Sequence, residues 1–91
     1  MNLSITARHM EHSESVDQMI KDKLKVIENK HLSSSARVQW TSWVEHNEHY
    51  ASAHLLDSGH DFFVKADSDN MYKTIDLVVK KLESKFQHIH N

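Results

Sequence analysis

The pattern of apolar and polar positions changes period or breaks five times along this chain, dividing it into six elements. Leu3, Ile5 and Ala7 alternate with Ser4 and Thr6, the period of a half-buried strand over Leu3 to Ala7. From Val16 the apolar positions shift to Val16, Met19, Ile20, Leu24 and Ile27, the spacing of one helix face. Ser13 or Ser15 can cap that helix, Ser15 with Gln18 resembling a capping box, so the spacing predicts a helix over roughly Ser13 to Asn29. The polar run Ser33-Ser34-Ser35 breaks the period. Alternation then resumes with Ala36, Val38, Trp40, Ser42 and Val44 against Arg37, Gln39, Thr41 and Trp43, a second strand.

Glu45 to His49 is polar without periodicity and reads as a hairpin loop leading into a third strand, Tyr50 to Leu56. Asp57-Ser58-Gly59-His60 carries the only glycine, which takes positive φ at little cost, and Phe62 to Ala66 returns as a fourth strand. Asp67-Ser68-Asp69-Asn70 suits a helix N-terminus, and Asp67 and Asp69 are read there as caps. Met71, Ile75, Val78, Leu82, Phe86 and Ile89 then recur every three or four residues to the end of the chain, a second helix. The order β-α-β-β-β-α, an α+β class, is satisfied by a four-stranded mixed sheet with both helices on one face. The first helix is long enough to make strands one and two parallel neighbours, and the later strands pair antiparallel. The other face of the sheet then stays open. Trp40 belongs to the inward set and Trp43 to the outward one.

Composition narrows the chemistry. Ninety-one residues, 38% hydrophobic and 26% charged, suit one domain, 1–91, and no run approaches the about 20 apolar residues of a membrane span. The expected setting is the cytoplasm, without a signal peptide. No cysteine means no disulfide, thiolate metal site or cysteine nucleophile, and a single glycine excludes glycine-rich phosphate loops and a nucleophile elbow. No catalytic constellation stands out, so no enzyme and no cofactor are expected.

The net charge of −2 hides an uneven distribution, because residues 71–91 hold four lysines against Asp76 and Glu83. Lys21, Lys23, Lys25 and Lys30 mark the first helix, and Lys73, Lys80, Lys81 and Lys85 the second. Such clusters read either as a polyanion surface or as an ordinary solvated helix face. His46, Glu48 and His49 share a loop and could suggest a metal, but their spacing is not that of a zinc protease. His88 and His90, near the end of the second helix, add positive charge when protonated.

One more pattern lies across almost the whole chain. Met1, Leu3, Ile5 and Thr6, then Glu11, Lys23 and Glu28, then Val44-Glu45, and above all Ala66, Met71-Tyr72, Ile75-Asp76 and Lys81-Leu82 resemble the ribosome hibernation-promoting factor family, also called ribosome-associated inhibitors or ribosomal subunit interface proteins. The resemblance implies the same β-α-β-β-β-α fold and a non-enzymatic stress factor. Such a factor binds the small ribosomal subunit and its rRNA in the channel of mRNA and tRNA, competes with both, and preserves idle ribosomes, with a monomer expected when free. It implies rRNA contacts through Lys23 and Lys81, with Lys25, Lys80 and Lys85 beside them. His88 and His90, like Asp17, Ser84, Trp43 and His46, stand where the family often carries Arg or Lys, which leaves fewer permanent cations. Ending at the second helix, the chain resembles the family's short members. The alternatives left open by the residues are a module for another structured RNA and a histidine-rich metal-binding protein.

Overall fold

The computed structural model describes residues 1–89, with side chains described through residue 87. Its elements are β1 (Asn2–Ala7), α1 (Glu14–His31), β2 (Arg37–Glu45), β3 (Glu48–Asp57), β4 (His60–Ser68) and α2 (Met71–Ile89). The sheet order is β1-β2-β3-β4, with β1 parallel to β2 and the other pairs antiparallel. The α+β class, the element order and the placement of both helices on one face are as the periodicity predicts.

Boundaries differ where turn chemistry is tighter than the sequence suggests. The loop expected over Glu45 to His49 is only two residues, His46 and Asn47, both at positive φ (50° and 65°), and β2 and β3 pair up to Glu45 and Glu48. That is the backbone of a type I′ hairpin, whose twist matches the strands. Ser58 and Gly59 (φ 50° and 85°) repeat it between β3 and β4. β4 also continues to Ser68, so Asp67 lies in a strand and caps nothing. The cap of α2 is Asn70, whose Oδ1 accepts from the Lys73 amide at 2.8 Å, while Asp69 sits 3.9 Å from the Lys73 ammonium. Helix α1 is capped by Ser13, which accepts from Val16 N at 3.2 Å, and runs two residues past Asn29. Ser15 forms no capping box: its hydroxyl lies 3.0 Å from Tyr72 Oη and ties α1 to α2.

The core lies between the helices and the inward strand positions. It joins Val16, Ile20, Leu24 and Ile27 of α1 and Met71, Ile75, Val78, Leu82 and Phe86 of α2 to Val38, Trp40, Ala51, Ala53, Leu55, Val64 and Ala66 of the sheet. Side-chain volume sets the spacing. Ala51, Ala53 and Ala66 allow α2 a close backbone approach over β3 and β4, which α1 does not match over its own strands. Edge strand β1 is therefore only half covered, and Met1, Leu3, Ile5, Ala7 and Met10 line a groove of about 800 Å³ beside α1.

Among the polar groups buried in this interior, two sets are held by hydrogen bonds inside the helix–sheet layer. The Trp40 indole N–H donates to Ser42 Oγ at 2.9 Å, and both residues are fully buried. Thr74, also fully buried, donates from Oγ1 toward the His49 carbonyl at 2.9 Å and lies 2.6 Å from Ser68 Oγ, fixing the first turn of α2 to β3 and β4. Replacing Ser42 by Ala strands the indole N–H in a dry interior, a loss of about 1–3 kcal/mol. Denaturant unfolding of Ser42→Ala is expected to show that loss, and a variant as stable as the parent would mean the indole finds another acceptor.

Candidate nucleic-acid interface

Apart from Lys73 at the start of α2, the helical lysines take four placements once the helices are docked. In the crevice between α1 and α2, Lys23 Nζ meets Asp76 Oδ1 at 2.7 Å and Lys30 approaches Glu83 at 3.9 Å. Lys23 is paired directly across the crevice, whereas Lys30 stays largely exposed with a long contact. On the flank of α2, Lys81 Nζ donates to the Lys65 carbonyl of β4 at 2.7 Å, and Lys85 follows one turn later. Lys25 stands on the far flank of α1, at the rim of the β1 groove with Lys21. Lys80 is exposed on the stripe of α2 that also carries Asp76 and Glu83. Lys25, Lys80 and Lys85 form no ion pair among the described residues. His88 belongs to α2 but its side chain is outside the description, and His90 lies outside the described residues.

The five described lysine positions expected from the sequence are thus spread across the helical layer. The structure brings Lys81 and Lys85 together and separates them from Lys25. Around that pair runs a shallow groove of about 360 Å³ lined by Phe63, Val64, Lys65, Lys81, Ser84 and Lys85, every charged member a lysine. The larger β1 groove has the opposite character. Its floor is apolar, and Asp17 and Glu28 at its rim are engaged by His12 Nδ1 (2.9 Å) and the N-terminal ammonium (2.8 Å).

The open face carries a second set of cations that periodicity alone did not single out. Trp43 and Tyr50, partners across β2 and β3, lie parallel within 2° at 5.4 Å between centroids. The Arg8 guanidinium sits 4.6 Å from the Trp43 centroid, and Lys65 Nζ lies 5.4 Å from Trp43 and 5.5 Å from Tyr50, attracted by the ring quadrupoles. Acids surround Tyr50. Burial first, then Asp67, Glu45 and Glu48, hold its phenol above the usual range. Glu48 is itself raised above 4.5, chiefly by a hydrogen bond shared with Asp67. The readable signal for Lys65 and Phe63 was parity: with Val64 and Ala66 inward, residues 63 and 65 must face out.

Among the described residues no group of three or more His, Asp and Glu is placed to hold a metal ion. His46 sits in the β2–β3 turn, and Glu48 and His49 alternate to opposite faces of β3. Among the same residues no helix is long and apolar enough to cross a membrane.

This fold, with a basic flank on its second helix, has known relatives. The family model of the Sigma 54 modulation protein / S30EA ribosomal protein matches residues 3–91, and the chain belongs to that family. Among solved structures it is similar to a ribosomal subunit interface protein from Coxiella burnetii, with a TM-score of 0.86 at 20% identity over 99% of this chain and 98% of that one. The Protein Y N-terminal domain of Thermus thermophilus gives 0.86 at 17% identity, covering 98% and 99%. A search of curated proteins finds no match to this chain.

Two carboxylates make opposite pH predictions. Asp57 closes the α1–β2 connection by accepting from Ser33 Oγ, from Ser33 N (2.9 Å) and from Ser58 Oγ (3.2 Å), and these bonds, Ser33 Oγ first, hold its pKa below 3.8. Its stabilisation is complete above 3.8 and is lost as pH falls through the lower folded-state value. Asp57→Asn should therefore melt lower than the parent at neutral pH, with the gap closing in strong acid. Glu48 has a raised folded-state pKa, so ionising it beside Asp67 subtracts stability as pH climbs from 4.5 through that value. Glu48→Gln is expected to melt higher than the parent at neutral pH and level with it well below 4.5. Thermal melts across pH check both signs.

Proposed function

We propose that this protein is a non-enzymatic ribosome-binding factor that occupies the small subunit in the channel of mRNA and tRNA. It thereby inhibits translation and preserves idle ribosomes under stress, acting in the cytoplasm as a monomer and without a cofactor. The observation that carries the reading is the family match over residues 3–91 on a chain whose second helix carries a basic flank with no carboxylate among the described residues lining its groove. The similar Coxiella burnetii protein is a ribosomal subunit interface protein, which supports the reading.

The chemistry of the helical layer fits such a partner. Structured RNA is engaged largely through phosphates and shape, and a compact wedge of lysines needs little reading of base edges. Lys81 and Lys85 form the strongest part of the contact, Lys80 and Lys25 extend it along the layer, and Lys23 contributes less because Asp76 already neutralises it. Protonation of His88 and His90, which a nearby anion favours, would add positive charge.

Co-sedimentation with small subunits tests the reading. Binding should saturate, be displaced by mRNA with initiator tRNA, and weaken with salt at a log–log slope of roughly −3 to −5, as about five phosphate contacts require. Lys80→Glu with Lys85→Glu is the preferred charge reversal, because Lys81 also holds β4 and its loss would disturb the fold. That double variant should bind more weakly and flatten the slope by about 1.5–2. Equal affinity for free structured RNA would favour a general RNA module, and metal retained through purification would favour the histidine-rich reading.

A further inference from the structure

Phe63 is 60% exposed on the outward side of β4, the edge strand nearest α2. A single exposed aromatic ring is common and carries nothing alone. Three features set this one apart. It borders the groove whose only charged members are Lys65, Lys81 and Lys85, so the ring lies beside cations with no carboxylate among the lining residues. Its position is supported, since His54 meets it edge-on (centroids 6.3 Å apart, planes at 66°) and is itself held by Asp61 at 2.6 Å. The other aromatic pair on that face is already occupied, with Arg8 and Tyr50 against Trp43 and acids around Tyr50.

A flat apolar ring next to two ammonium groups matches a strand of nucleic acid whose backbone is anionic and whose base is unstacked. We infer that Phe63 is a stacking platform for an unpaired base of ribosomal RNA, while Lys81 and Lys85 hold the flanking phosphates. Paired bases have no face to offer, so the contact selects single-stranded RNA. Lys65 takes no direct part, because its ammonium is drawn over Trp43 and Tyr50. The inference rests on the ribosome-binding reading and adds to it a base contact that charge alone does not supply.

The test compares the parent, Phe63→Ala and Phe63→Tyr for affinity to small subunits across a salt series. Removal of the ring should weaken binding by about five-fold to about a hundred-fold, the range of base–aromatic stacking, while the salt slope stays that of the parent. Phe63→Tyr, which keeps the ring, should bind within about two-fold of the parent. Zero-length ultraviolet crosslinking of the parent complex needs no variant and should join the peptide containing Phe63 to an unpaired nucleotide. Parent-like binding by Phe63→Ala overturns the inference and leaves the ribosome reading standing, as does a crosslink from that peptide only to paired RNA. A parent dimer that Phe63→Ala dissolves would instead make the ring a self-association contact. Failure of the parent to bind small subunits brings down the functional reading and this inference with it.

Discussion

Ala51, Ala53 and Ala66 let α2 settle close over β3 and β4, while Trp40 fills the layer on β2 and α1 stands further from the sheet. Interiors are packed to crystal-like density, so this gradient of side-chain volume fixes the height of each helix. The rest follows from it. Close docking of α2 lets Thr74 reach the His49 carbonyl and Lys81 the Lys65 carbonyl, which places Lys81 and Lys85 against the edge of β4. The higher seat of α1 opens the groove over β1 and leaves the crevice between the helices to be closed by polar pairs.

Electrostatics in this protein are a matter of location. A chain with a net charge of −2 attracts a polyanion only where its cations are left over after internal pairing. Lys23 and Lys30 face carboxylates between the helices, Arg8 and Lys65 lie against aromatic rings, and Asp17 and Glu28 at the groove rim are paired with His12 and the N-terminus. Among the described residues without an ion pair are Lys21 and Lys25 on α1 and, beside an exposed aromatic ring, the lysine flank of α2. The open face near Tyr50 is acidic by comparison, so the two ends of the sheet present different chemistry to a partner.

Most of the fold was legible in the chain because each element has its own period. Alternation named the strands, the three-and-four spacing named the helices, and the same parity put Trp40 inside and Trp43 outside, as the structure has them. The errors sit at junctions. A His-Asn turn without glycine gives a weaker cue for positive φ than Asn-Gly does, and Asp67 looked like a cap because helix-capping residues and the outward positions of a strand end draw on the same polar types. The candidate interface was less legible. Lysines can be counted from the sequence, but their availability depends on which carboxylate or carbonyl the fold brings within reach.

By itself the sequence determined the element order, most of the inward set and the absence of cysteine and glycine chemistry, because these depend on residues close together in the chain; Val44, read as inward by parity, is 40% exposed because β2 there runs out past the helical layer into the hairpin. The resemblance to the hibernation-promoting factors, carried by Ala66, Met71-Tyr72, Ile75-Asp76 and Lys81-Leu82, is likewise local. The tertiary structure alone decided that Lys23 is neutralised by Asp76, that Lys81 is tied to β4, and that Phe63 shares a groove with Lys85. Those pairings join residues far apart in the chain, and their distances are set by how closely each helix packs on the sheet.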